Sequence, residues 1–221
     1  MTLRHHVYNK HQLSGHFHND AASVTLSVDG VPIFVDPGSF IYTPSAFWRN
    51  SFRSVSAHNT FWMEGIEPVV LDHKFLFNLD LPESSINGWF GKREIKTHHK
   101  LYKRFGLEAH RKIELDDTCD NVTITDAWKL CPDTENTLWG FAKGCWNFTL
   151  APEIKAVQEG SVWKFSKNGK FLAQLFSEHL KFECVDGWFS PNYGTKIPII
   201  RLRARAPIVP DQELQMKVSL L

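Results

Sequence analysis

Along most of the chain, apolar and polar residues alternate with a period of two. Val24, Leu26 and Val28 are interleaved with Ser23, Thr25 and Ser27; Asp29-Gly30 follows, and Val31, Ile33 and Val35 then alternate again. Two such runs joined by Asp-Gly predict a β-hairpin on a type I′ turn, whose two central residues both need positive φ. Trp163 and Phe165, then Asn168-Gly169, then Phe171, Ala173 and Leu175 repeat the design. Leu107, Ala109, Arg111, Ile113 and Leu115 fall on one face of a further strand, and Val122, Ile124, Trp128 and Leu130 on one face of another. The chain closes with Ile200, Leu202 and Ala204, then Leu214, Met216, Val218 and Leu220. No window of a dozen residues carries a helical stripe, and no repeat of about 40–50 residues marks a propeller. The pattern predicts an all-β fold, an antiparallel β-sandwich or layered β-sheet, in a single domain over residues 1–221. The least regular stretch, Asp72–Lys100, reads as a surface excursion between two sheets.

Composition narrows the partners. The 221 residues are 43% hydrophobic and 22% charged, a globular balance. Lys and Arg number 25 against 24 Asp and Glu, a formal net charge of +1. That argues against a protein drawn to nucleic acid or to a membrane surface by its overall field. The densest basic stretch, Lys92-Arg93 with Lys96, His98, His99, Lys100, Lys103 and Arg104, has no aromatic readout motif beside it. It reads as an exposed loop and edge strand, with no nucleic acid partner. No apolar run approaches the ~20 residues that span a bilayer, and no apolar segment follows Met1 as a signal peptide would require. The chain reads as soluble. Cys119, Cys131, Cys145 and Cys184 lack C-x-x-C spacing and read as free, structural thiols.

The chemistry concentrates in the first 60 residues: His16-Phe-His18-Asn-Asp20, then Asp36-Pro-Gly38, then His58-Asn-Thr60. In an extended segment, residues two apart project to one side, so His16 and His18 can share a site. Two imidazoles and a carboxylate from neighbouring β segments match a zinc site in residue type, with a fourth position open. A plainer reading stands beside it: Asp before Pro-Gly as turn chemistry, and histidines that are simply hydrogen-bonded.

Gly15-His16-Phe-His18-Asn-Asp20 is followed by Val31-Pro-Ile-Phe-Val-Asp36-Pro-Gly38, and then by the segment Trp48-Arg49 to Ala57-His58-Asn59-Thr60. With Gly187-Trp188-Phe-Ser190-Pro191-Asn-Tyr193-Gly194 near the end, this order resembles the C-terminal β domain of the heparinase II/III-like polysaccharide lyases. The resemblance implies His16 as the catalytic residue and His18, Asp36 and His58 as ligands of a structural zinc that holds the His16 loop. It implies β-elimination on an acidic, uronate-containing polysaccharide, a reaction that needs a neutralised carboxylate, a base and an acid. Tyr42 is the nearest match to the family's catalytic tyrosine; its structural reading is a strand-edge aromatic.

Family enzymes carry an N-terminal helical toroid that contributes to the same cleft, and the sequence before His16 is too short to encode one. The chain on its own is therefore expected to lack a complete active site and to need a separate toroid domain or chain, which leaves open whether it is itself an enzyme. Two further readings stand: a non-catalytic carbohydrate-binding or scaffold module with a structural metal, and a cupin-like metalloenzyme with His16 as a fourth ligand. Family members are often periplasmic or secreted. Arg201, Arg203 and Arg205 form a basic row that reads as a solvated face or as a track for an acidic polymer. Arg49 and Arg53, beside Trp48 and Phe52, read either as uronate or sulfate binders or as partners of strand-end acids.

Overall fold

A computed structural model describes residues 1–4, 16–71, 93–132 and 138–220. Both predicted hairpins form. Strand β1 (Thr2–Arg4) pairs antiparallel with β2 (Ser23–Val28), and β2 with β3 (Val31–Phe34). At the turn, Asp29 and Gly30 have φ of 49° and 77°, the double positive value that a type I′ turn demands. Strand β3 is one residue shorter than the alternation implies. The Val35 N–H turns away from the hairpin and donates to the Thr149 carbonyl at 2.9 Å.

The chain continues through helix α1 (Ala46–Arg53), β4 (Phe61–Met63), β5 (Glu94–His99), β6 (Leu107–Leu115), β7 (Asn121–Leu130) and β8 (Lys143–Thr149). It ends with β9 (Lys155–Glu159), β10 (Val162–Lys167), β11 (Lys170–Phe176), β12 (Phe182–Asn192), β13 (Thr195–Pro207) and β14 (Glu213–Leu220). The turn between β10 and β11 again has two positive φ values, 51° at Asn168 and 78° at Gly169. A seven-stranded sheet runs β5-β6-β7-β14-β11-β10-β9, and a four-stranded sheet runs β12-β13-β8-β4, with antiparallel neighbours throughout. The three-stranded hairpin sheet joins the end of β8, where Ala151 N–H donates to the Ile33 carbonyl at 2.9 Å.

One apolar core draws on all three sheets. Phe34 of β3 stacks on Phe148 of β8 with centroids 4.6 Å apart, and meets Phe165 of β10 edge-on at 5.4 Å. Phe61 of β4 meets Trp128 of β7 edge-on at 5.1 Å. Burying each such side chain contributes roughly 1.5–3 kcal/mol, so these rings clamp the layers together. The architecture is the antiparallel sandwich that the alternation predicts. Leu115 and Leu130 depart from it: both sit at strand ends, 37% and 53% exposed.

Helix α1 is absent from the sequence-based reading. It has eight residues, too few for a stripe to emerge over a dozen, and its N-terminus is capped by Ser45, whose side chain accepts from the Trp48 N–H. Residues 72–92 of the irregular stretch lie outside the described residues, while Glu94–His99 forms the edge strand β5. The basic side chains there are largely compensated: Lys96 pairs with Glu94 at 2.7 Å, Lys100 with Glu108 at 3.2 Å and Arg93 with Asp117 at 2.9 Å. No described helix is long and apolar enough to cross a membrane.

Candidate functional site

Residues 16–22 form a loop leading into β2 rather than an extended strand. Two partners brace it. The buried Arg53 at the end of α1 donates from Nε to the Phe17 carbonyl at 2.8 Å, and its own carbonyl accepts the Asn19 N–H at 2.9 Å. The Asn19 side-chain amide donates to Glu67 at 2.6 Å and to the Val69 carbonyl at 2.8 Å. Glu67 also accepts from the Ser54 hydroxyl and from the Val55 N–H. Arg53 thus fastens the backbone that carries the histidines, and both Arg53 and Arg49 are buried. Burial and the neighbouring Arg49 lower the Arg53 guanidinium to about 10, which leaves it charged at neutral pH.

Because the loop is not extended, His16 and His18 part ways. His18 turns inward and is buried 5.2 Å, centroid to centroid, from the fully buried His58. His58 Nδ1 lies 3.0 Å from Asp36 Oδ2, and His18 Nε2 lies 3.0 Å from the Ser39 hydroxyl. His18, Asp36 and His58 each offer a ligand atom, all within 4.8 Å of one another. They are the one such cluster among the described residues. Three segments distant in sequence, the loop before β2, the loop after β3 and the turn before β4, meet there.

The electrostatics suit a cation. Burial, reinforced by His58, lowers the His18 imidazole to about 3, so the ring is uncharged at neutral pH, the form that binds metals. Burial pushes the Asp36 carboxyl up, but hydrogen bonds and charge from His58, together with the Gly38 N–H at 2.9 Å, outweigh it and hold the group below the usual carboxylate range. Two ring nitrogens, His18 Nδ1 and His58 Nε2, are buried with no hydrogen-bond partner. Such atoms are costly in an apolar interior unless something else occupies their lone pairs. Two imidazoles and a carboxylate are a donor set that fits zinc.

The loops are held to tight tolerance. Gly38 has a φ of 75°, and a β-carbon there would lie 2.5 Å from the Ser190 carbonyl oxygen, so only glycine lets Asp36-Pro-Gly dock against β12. Ser190 N–H donates to the Pro37 carbonyl at 2.8 Å. Beside His58, the Asn59 amide donates to the Val24 and Val35 carbonyls at 2.7 and 3.0 Å and accepts from the Thr149 N–H at 2.6 Å. Asn59 therefore ties the hairpin to β8 next to a candidate ligand.

His16 lies outside the cluster, exposed, with its ring edge-on to Tyr42 at a centroid distance of 4.9 Å. Tyr42 in turn stacks on Tyr193 at 5.7 Å, and Tyr193 is 60% exposed. A surface group of one imidazole and two phenols follows, two residues along the chain from the buried cluster. Sequence reasoning did not single out Ser39, Asn59, Glu67 or Tyr193; the G-x-x-S-P-N-Y-G tail motif was the one signal that pointed toward Tyr193.

The basic row on β13 is not a uniform solvated face. Arg205 bridges Glu64 at 2.7 Å and Glu183 at 2.5 Å, and Arg203 donates to Asn147 at 3.0 Å and lies over the Trp62 ring. Arg201 lines a cavity beside α1.

A family model described as Heparinase II/III-like, C-terminal, matches residues 1–215. Among solved structures, similarity extends to a heparinase III, the BT4657 gene product with methylated lysines, at 17% identity and a TM-score of 0.69. It also extends to the heparan sulfate lyase HepC from Pedobacter heparinus, at 13% identity and 0.68, and to a further heparinase III at 12% and 0.66. Each alignment covers 92% of this chain and 30% of the other, so the chain spans under a third of the length of these structures. At such identities the likeness establishes the fold. No curated protein matches the sequence.

Proposed function

The chain belongs to the heparinase II/III-like family through its C-terminal domain, and from that we propose that it is the zinc-holding β domain of a lyase for acidic, uronate-containing polysaccharides. The observation that carries the reading is the pair of buried, partnerless nitrogens, His18 Nδ1 and His58 Nε2, beside the Asp36 carboxylate. Zinc bound there supplies charge compensation and a crosslink between three loops. The chain's own residues do the rest: Arg53 fixes the backbone at Phe17, and His16, one residue earlier, is presented to solvent against Tyr42.

In β-elimination the proton next to the uronate carboxylate leaves, a carbon–carbon double bond forms, and the bond to the neighbouring glycosidic oxygen breaks. His16 can accept that proton, and the Tyr42 hydroxyl beside it can protonate the departing oxygen. Neutralising the substrate carboxylate falls to groups on a helical domain or chain. The exposure of His16 and its contact with Tyr42 disfavour the cupin-like alternative, which needs His16 on the metal.

The test is an assay of uronate polymers for new ultraviolet absorbance from the unsaturated product, with and without a helical partner. Activity that requires the partner and is lost in His16→Ala is the expected result. Full activity in His16→Ala overturns the assignment. Saccharide binding with no turnover under any condition favours the non-catalytic module.

A further inference from the structure

Arg201, unlike Arg205 on the same strand, has no acidic partner among the described residues. Its side chain lies flat across Gly187 of the neighbouring strand β12: a β-carbon at Gly187 would sit 2.8 Å from Arg201 Nε and 3.0 Å from Cζ. Nε is buried with no hydrogen-bond partner, and the side chain's hydrogen bonding is limited to a 3.4 Å contact from Nη2 to the Trp188 carbonyl. Its charged neighbour is another cation, Arg203, and burial together with that neighbour lowers the guanidinium to about 10, so it remains charged. A half-buried, charged arginine without a counter-ion is unfavourable unless an anion completes it.

Arg201 lines a cavity of about 600 Å³ between α1, β12 and β13, within the usual range for small-ligand sites. Asn50 also lines it, and its side-chain oxygen is buried with no hydrogen-bond partner among the described residues. Two aromatic side chains complete the lining. Phe47 is 70% exposed, and Trp188 is held in place by the Lys196 ammonium 3.3 Å from its ring centroid and by Trp48 edge-on at 5.7 Å.

An unpaired cation, an unpaired acceptor and aromatic surface describe one kind of ligand. We propose that this cavity is a subsite for a single acidic sugar unit, with Arg201 receiving its carboxylate or sulfate, Asn50 a hydroxyl, and Phe47 and Trp188 its apolar face. The guanidinium fork matches either oxyanion. The inference rests on the acidic-polysaccharide reading above and places a second contact for the polymer on this domain, apart from His16.

The test follows the side-chain N–H resonance of Arg201 Nε by NMR, identified by its loss in Arg201→Gln. Four probes are titrated: an unsulfated glucuronate-containing oligosaccharide, its sulfated counterpart, a neutral oligosaccharide of equal length, and inorganic sulfate. Saturable shifts with the acidic oligosaccharides and none with the neutral one are expected; response to the sulfated one alone selects sulfate over carboxylate. Arg201→Gln should weaken binding about tenfold or more. Asn50→Asp, isosteric but repelling an anion, should do the same. No shift with either acidic oligosaccharide, wild-type affinity in both variants, or a response to inorganic sulfate alone overturns the proposal. Failure of the zinc reading is scored separately. Protein purified without chelators that carries no zinc and still binds at Arg201 overturns the metal site and leaves the subsite, and zinc-loaded protein without the shift does the reverse.

Discussion

Among the described residues, two clusters of buried ionisable side chains in this sandwich are built on opposite terms. Arg111 and Asp126, 1% and 0% exposed, face each other across β6 and β7 in a two-point pair, Nε to Oδ1 and Nη2 to Oδ2, both 2.7 Å. The remaining valences are filled as well. Arg111 Nη1 donates to the Ala22 and Asn59 carbonyls at 2.6 and 3.0 Å, and Trp146 Nε1 donates to Asp126 at 3.0 Å. In the His18–Asp36–His58 cluster, by contrast, two ring nitrogens are left over. A buried polar group that the protein satisfies itself is architecture, whereas the two nitrogens left open here are what the zinc proposal is argued from. The two centres are also joined. Arg111 holds the carbonyls of Ala22 and Asn59, which flank the segments bearing His18 and His58, so the closed centre scaffolds the open one.

The contrast can be broken at either end. The largest effect is expected at the closed centre. Asp126→Asn strands the Arg111 charge in the core and should cost about 3–5 kcal/mol in a denaturant titration, metal or no metal. Stripping the open centre comes next. A chelator should lower the stability of zinc-loaded wild type by about 4 kcal/mol when free zinc had stood near a thousand times its Kd, and should leave His58→Ala untouched. Gly38→Ala, which forces a β-carbon against Ser190, should cost about 1–3 kcal/mol in stability and also weaken zinc binding, because the same loop carries Asp36. The smallest effect belongs to His16→Ala, which should change stability by no more than about 0.5 kcal/mol and leave zinc content intact, since the ring is exposed and outside the cluster.

The hairpins were legible because their information is local. Asp29-Gly30 and Asn168-Gly169 are the dipeptides that tolerate two consecutive positive φ values, and the alternation on either side names the buried face. The closed centre was half legible: Arg111 stands among Leu107, Ala109 and Ile113 on an inward face, a charge at a core position, but its partner is chosen by the cross-strand register that opposes Arg111 to Asp126. Register that opposes residues fifteen positions apart is a tertiary outcome. Helix α1 was too short to show a stripe. The roles of Arg53 and Glu67 were hidden for the same reason as the register, since each acts on a backbone brought to it by the fold. At the candidate site, the motif H-x-H suggested two histidines in one place. The loop geometry separates them, one buried with Asp36 and His58 and the other exposed against Tyr42.

The most direct measurement of the central claim is the metal content of the purified chain, prepared without chelators, by elemental analysis, beside His18→Ala and Asp126→Asn refolded under the same conditions. The account predicts about one zinc per chain in wild type, none in His18→Ala, and zinc retained in whatever fraction of Asp126→Asn folds. Wild-type protein free of metal, or zinc that survives in His18→Ala, would contradict it.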